Sequence, residues 1–145
     1  MSITYWTDKA ASGEDPWAHG AASLARRTAQ DGLLAEAGGA PVAALIGYPI
    51  DAAEPTEDMP AAFIPSQELE NLALGAWYIQ VLATLPEHRG QGHGLRLLEA
   101  ASGIAHAAGR PLSLVASDGN ADALLLYRRF GFGQKALRPQ LGLLD

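Results

Sequence analysis

The sequence contains no cysteine, and this absence excludes several kinds of chemistry. A chain without thiols forms no disulfide, has no thiolate nucleophile and offers no cysteine ligand to a metal. We therefore expect a cytoplasmic protein. The sequence also lacks an apolar run of the ~20 residues that a membrane helix needs. Its first residues have neither the basic start nor the apolar block of a signal peptide, so we expect no membrane partner.

Positive charge is scarce. Lysine and arginine number 10 against 16 acidic residues, which gives a formal net charge of −6. Because such a charge opposes binding to phosphate backbones, we expect no nucleic-acid partner. Histidines and acids do not recur at metal-ligand spacings, so we also expect no metal. The length of 145 residues and the hydrophobic content of 48% are typical of a single globular domain, which we predict over residues 1–145.

The hydrophobic patterning predicts alternating strands and helices. Proline and glycine residues separate the segments, and an amphipathic stretch carries Leu95, Leu98 and Ala101 on one face. We predict helices at about 16–30, within 94–111 and at 120–130, a hairpin over 33–50, strands within 75–84 and 112–118, and a last strand that starts after 130. Residues 51–66 read as a surface loop, followed by a short helix at 66–72. The predicted class is α/β (α+β), with a mixed central sheet and flanking helices.

The stretch "PEHRGQGHG" (86–94) places glycine at 90, 92 and 94, between the best predicted strand and a helix. Glycine adopts backbone conformations that other residues avoid, and the first turn of a helix has unpaired N–H groups at the positive end of its dipole. Together these features favour a phosphate or pyrophosphate site made from main-chain nitrogens.

Three kinds of phosphate loop compete for this stretch. A Walker loop needs a lysine after its glycines, and none follows here. The dinucleotide pattern G-x-G-x-x-G fails at Leu95, although Asp118 after the next strand has the place of the ribose-binding acid. The third pattern, R-x-x-G-x-G, is matched by Arg89, Gly92 and Gly94.

Two segments resemble one enzyme family. "VLATLPEHRGQGHGLRLLEAA" (81–101) is similar to the coenzyme A loop of the GNAT superfamily of acyl-CoA-dependent N-acetyltransferases, and "SDGNADALLLYRRFGF" (117–132) is similar to its second motif. The resemblance extends over about residues 76–133. It implies the acyl-CoA N-acyltransferase (GNAT-like) fold, with acetyl-CoA (coenzyme A) as co-substrate. The implied reaction is direct attack by a primary amine of a small molecule or peptide.

The resemblance also implies roles for individual residues. Tyr127 matches the general acid that protonates the departing thiolate, and Asn120 matches an asparagine that contacts the pantetheine arm or caps its helix. For the general base we expect Glu70, with Glu68 and Tyr78 as weaker candidates. The residues expected to bind the co-substrate, mainly through the main chain, are Val81, Leu82, Ala83, His88, Arg89, Gly90, Gln91, Gly92, His93 and Gly94.

The chain also departs from the family pattern. The segment before the first helix is short, and we expect the returning last strand to be missing. Exposed sheet edges would then favour a homodimer. The alternative functions are an acyl-CoA-binding module without turnover and a dinucleotide-binding subdomain. The loop acids at 51, 54, 57 and 58 are either solvated or steer a cationic amine.

Overall fold

The computed structural model describes residues 32–138 and 141–144, and the predicted helix over 16–30 lies outside them. Within this range the strands are Gly32–Ala37 (β1), Ala40–Pro49 (β2), Trp77–Thr84 (β3), Leu112–Ser117 (β4), Gln134–Arg138 (β5) and Leu141–Leu144 (β6). The helices are Ile64–Asn71 (α1), His93–Ala107 (α2) and Ala121–Phe130 (α3), and single 3₁₀ turns cover Ala61–Phe63 and Pro86–His88.

The strands form a six-stranded sheet with the order β1-β2-β3-β4-β6-β5. The pairs β1/β2, β4/β6 and β5/β6 are antiparallel. A sheet with flanking helices confirms the predicted α/β class. None of the helices described is long and apolar enough to cross a membrane.

Contacts divide the described residues into two compact units. Unit 1 comprises residues 32–48 and 79–103, and unit 2 comprises 49–78, 104–138 and 141–144. The boundary falls inside β3 and inside α2, so both elements contribute to each unit. Whether the chain is one domain stays a prediction.

Unit 1 contains the predicted hairpin of β1 and β2. Gly38 and Gly39 have φ values of +59° and +81°, and two successive residues of positive φ give the turn that matches the twist of paired strands. Leu45 on β2 is fully buried. The N–H of Leu85 donates to the carbonyl of Val42 at 2.8 Å, which ties the residue after β3 to β2.

In unit 2 the loop over residues 51–60, which carries the four acids at 51, 54, 57 and 58 and is called the acidic loop below, is held against α1. The amide side chain of Asn71 accepts from the N–H of Glu54 at 2.9 Å and donates to its carbonyl at 2.8 Å. The helix begins at Ile64, two residues before the predicted start, because Pro65 suits the first helical turn. The prediction of a surface loop over 51–66 therefore holds only up to residue 60, because the 3₁₀ turn begins at Ala61.

The expectation of a missing returning strand is wrong. β6 lies between β4 and β5 and pairs with both. Leu143 is fully buried, and the hydroxyl of Ser113 on β4 donates to the carbonyl of Leu144 at 2.9 Å. Four residues suffice for a strand here because they are paired on both sides.

Candidate functional site

The loop between β3 and α2 has the backbone that its glycines predicted. Gly90 and Gly92 have φ values of +75° and +85°, a region that costs other residues about 1–2 kcal/mol. No described atom lies within 4 Å of the place that a Cβ would take at either position. Glycine is therefore required for its conformation and not for space.

The start of α2 has main-chain donors that the helix itself does not use. The helix begins at His93, and its first hydrogen bond runs from the N–H of Arg96 to the carbonyl of Gly92 at 3.1 Å. The N–H groups of residues 93–95 consequently have no partner within the helix. The preceding Gly90, Gln91 and Gly92 are exposed. Donors at the positive end of a helix dipole, beside an open loop, can hold an anion such as a diphosphate.

Side chains of the loop support its shape. The Nε of Arg89 donates to the carbonyl of Thr84 at 3.4 Å, which holds the exposed guanidinium beside the end of β3. His93 is only 8% exposed, and its Nε2 lies 3.3 Å from Oε1 of Gln91. The ring of His88 meets that of His93 edge to face, with centroids 6.3 Å apart.

The strand residues predicted to pair with pantetheine lie at the end of β3, in unit 1. Val81 is buried, and Leu82 and Ala83 are partly buried. The strand itself is confirmed, whereas its pairing with the co-substrate stays a prediction. The same holds for the contacts of residues 88–94 with the diphosphate.

Asn120 lies in unit 2, where it caps α3. Its Oδ1 accepts from the N–H of Ala123 at 3.2 Å, which confirms the capping role. Ser117 supports this turn, because its carbonyl accepts from the N–H of Asn120 and its hydroxyl accepts from that of Gly119, both at 3.2 Å. The contact of Asn120 with pantetheine stays a prediction.

Tyr127 lies near the end of α3 in unit 2. Gly131, with φ +119°, ends the helix, and the N–H of Phe132 donates to the carbonyl of Tyr127 at 3.0 Å. The two aromatic rings meet edge to face, 5.8 Å apart. Burial raises the pKa of Tyr127 from 10 to about 12, so the phenol is protonated at neutral pH. Among the described residues, no hydrogen bond is assigned to its hydroxyl.

The general-base candidates all lie in unit 2. Glu70 is half-buried on α1, and its role stays a prediction. Glu68 accepts from the Nε of Arg138 at 2.8 Å, an ion pair that gives it a structural use. Tyr78 is buried at the start of β3. In the acidic loop, Asp51 pairs with Arg110 at 2.5 Å.

Metal binding has no candidate in the part of the chain that the structure describes, where no three histidine or acidic side chains come together. The expectation that no metal is needed stays a prediction.

The sequence reading missed the burial of His93. Of the three residues predicted on the apolar face of α2, Leu98 and Ala101 are fully buried, as expected, whereas Leu95 is 41% exposed. The buried face instead begins at His93 and continues at four-residue intervals through Leu97 and Ala101. That spacing was visible in the sequence, but a polar imidazole at its first position concealed it.

A sequence model of the acetyltransferase (GNAT) family matches residues 3–132 of this chain. The fold is similar to the GNAT domain of S. lividans PAT (TM-score 0.63, 21% identity, 86% of this chain and 66% of that one). It is also similar to a GNAT family acetyltransferase from Listeria monocytogenes 4b F2365 (TM-score 0.61, 18% identity, 96% of this chain and 83% of that one). A third similar structure is Ard1 from Thermoplasma volcanium (TM-score 0.60, 14% identity, 86% of this chain and 74% of that one).

No curated protein sequence matches the chain. The similar structures share too little sequence identity to indicate more than the fold, so the family model, which covers most of the chain and both motifs, decides the assignment. The chain belongs to the GNAT acetyltransferase family.

Proposed function

We propose that this protein transfers an acetyl group from acetyl-CoA to a primary amine of a small molecule or peptide. Family membership supports acyl transfer from an acyl-CoA. The observation that carries the proposal is the loop after β3. Its positive-φ glycines precede a helix whose first N–H groups have no helical partner. A diphosphate can accept hydrogen bonds from such N–H groups.

In this proposal unit 1 binds the co-substrate through its main chain. The N–H groups of residues 90–94 hold the diphosphate, because that of Arg89 already donates to the carbonyl of Pro86 at 3.3 Å within the 3₁₀ turn. The backbone of residues 81–83 pairs with the amides of pantetheine as an added strand would. An N–H of the same strand polarises the thioester carbonyl while negative charge develops on its oxygen.

The chemical step is a direct attack. The neutral amine nitrogen bonds to the thioester carbonyl carbon, the carbon–sulfur bond breaks, and the sulfur leaves as the thiolate of coenzyme A. The proton lost by the amine passes to Glu70 or to water. Because the chain has no cysteine, an acyl-cysteine intermediate has no attachment point.

Tyr127 stabilises the leaving thiolate by donating a hydrogen bond. Complete proton transfer from a phenol with a pKa of about 12 to a simple thiolate is uphill by about 3.5 pKa units, since free thiols titrate near 8.5. A protonated phenol can nevertheless stabilise negative charge on sulfur as the bond breaks. The phenol is protonated in the neutral range at its ordinary pKa of 10, and the raised pKa extends this to more alkaline pH.

The acidic loop supports a cationic acceptor. Asp51 is paired with Arg110, whereas the side chains of Glu57 and Asp58 are exposed on a loop held to α1. Acids in such a position attract a cationic substrate, and salt weakens the attraction. The acceptor class we propose is a polyamine or a basic peptide.

A thiol-release assay with acetyl-CoA over a panel of amines tests the proposal. We expect release that depends on the amine and is faster for cationic amines at low salt. Thermal shifts with acetyl-CoA, coenzyme A and NAD serve as controls. Stabilisation by acetyl-CoA without release above hydrolysis would indicate a binding module, and stabilisation by NAD alone would indicate a dinucleotide site. Equal rates for cationic and anionic amines at all salt concentrations would overturn the steering by the loop.

A further inference from the structure

A buried imidazole lies within the exposed loop between β3 and α2. His93 is 8% exposed, although Gln91 and Gly92 immediately before it are exposed. As the first residue of α2 it belongs to the helix, whereas the residues before it belong to the loop. Its side chain is therefore fixed at the junction of the two.

The imidazole contacts the loop at two points. Its Nε2 lies 3.3 Å from Oε1 of Gln91, and because an amide oxygen only accepts, Nε2 carries the hydrogen. Its ring also meets the ring of His88 at an interplanar angle of 66°. His93 thus connects the helix both to the 3₁₀ turn before the loop and to the residue between the two positive-φ glycines.

This connection matters because Gly90 and Gly92 flank Gln91. Glycine has the largest backbone freedom of any residue, so a loop with two glycines tends to sample several conformations. Binding through main-chain N–H groups is strong only when those groups are already directed at one place. A hydrogen bond from the buried His93 on the helix to the side chain of Gln91 restricts that freedom.

The geometry points to His93 as a positioning residue that acts through Gln91 and holds the loop in its anion-binding conformation. This inference rests on the proposed function, since it assigns the loop to the diphosphate of acetyl-CoA. His93 itself takes no part in the chemical step.

The test uses the full chain with Gln91→Met, His93→Leu and the double variant. Titration calorimetry with coenzyme A should show a Kd about 3–10-fold higher for each single variant, as expected for one lost hydrogen bond. The Kd of the double variant should be no higher than that of the single variant that binds coenzyme A less tightly, because the two substitutions remove the same contact. In turnover, KM for acetyl-CoA should rise while kcat at saturation stays unchanged. His93→Gln, which can place a donor near Gln91, should restore much of the affinity.

His106→Leu is the matched control, since His106 lies on the same helix but is exposed near its other end, and it should leave Kd unchanged. Hydrogen exchange of the amides of residues 90–92 in ligand-free protein gives a second readout that needs no coenzyme A. Faster exchange there in Gln91→Met and His93→Leu, but not in His106→Leu, supports the inference. Unchanged exchange would overturn it, even if wild-type protein binds coenzyme A. If wild-type protein does not bind coenzyme A, the proposed function fails, and exchange alone decides the role of His93.

Discussion

The glycine loop of unit 1 and the Tyr127 segment of unit 2 carry different kinds of chemistry. In the loop, Gly92 has φ +85°, and the functional groups are main-chain N–H groups in an exposed turn. In the other segment, Gly131 has φ +119° and turns the chain so that Phe132 packs on Tyr127, and the functional group is the phenol of Tyr127. Binding by the loop should depend on backbone conformation, whereas the role of Tyr127 should depend on one hydroxyl.

Tyr127→Phe tests this contrast with the largest expected effect. Removal of the donor to the leaving thiolate should lower kcat by about 10²–10⁴-fold, the range for loss of a positioned acid. The Kd for coenzyme A should not change, because the loop is intact. Steady-state kinetics and calorimetry measure the two quantities.

Tyr48→Phe is the control for this variant, since it removes the hydroxyl of a buried tyrosine outside the motif. Its kcat should stay close to that of wild-type protein. A Tyr127→Phe enzyme within threefold of wild-type kcat would remove Tyr127 from the mechanism.

The second prediction concerns alkaline pH. The pKa of Tyr127 is 10 in the unfolded chain and about 12 in the folded one, because burial disfavours the phenolate. Between these values the unfolded chain has lost a proton that the folded chain retains, so the free energy of unfolding falls as pH rises. The fall should be about 2–3 kcal/mol for a shift of two pKa units. Below pH 10 this contribution is fully present.

Urea unfolding from pH 9 to pH 12 measures this fall, with the Tyr127→Phe variant as reference. The difference in unfolding free energy between the two proteins should shrink as pH rises through the window set by the two pKa values. A difference that is constant with pH would mean that the phenol titrates normally. The alkaline limb of a pH–rate profile should likewise not come from Tyr127 at pH 10 or below.

Features that depend on local backbone chemistry were predictable from the sequence. Gly38 and Gly39 predict the first hairpin because that turn needs two residues of positive φ. Glycines before an amphipathic stretch predicted the loop and α2, and Asn120 was recognised as the cap of α3. In each case the neighbours along the chain determine the structure.

Features that depend on distant contacts were not predictable. β6 was missed because "LGLL" is too short to show a strand pattern, and its stability comes from pairing with β4 and β5. The raised pKa of Tyr127 likewise depends on packing that no local pattern encodes. Burial of His93 was missed because a polar residue stands at the first position of an otherwise apolar face. The amine, the homodimer and the cytoplasmic location stay predictions, because no described residue tests them.

The smallest predicted effect compares two glycines that share a backbone conformation but differ in place. Gly92 has φ +85° in the loop, and Gly109 has φ +66° after α2, where its N–H donates to the carbonyl of His106. Alanine at either position meets no described atom within 4 Å, so the cost is backbone strain of about 1–2 kcal/mol. The exposed loop can relieve this strain by changing φ, which would misdirect its N–H groups.

Gly92→Ala should therefore raise the Kd for coenzyme A by about 5–30-fold with little change in Tm, since a strain of this size can appear in binding instead of folding. Gly109→Ala should lower Tm by several degrees, as a loss of about 1 kcal/mol does in a domain of this size. Its Kd should match that of wild-type protein. Calorimetry and thermal unfolding of both variants decide the matter. If Gly92→Ala loses stability but keeps its affinity for coenzyme A, the loop is only a structural turn. Binding would then not depend on the backbone conformation of the loop, and the contrast with Tyr127 would not hold.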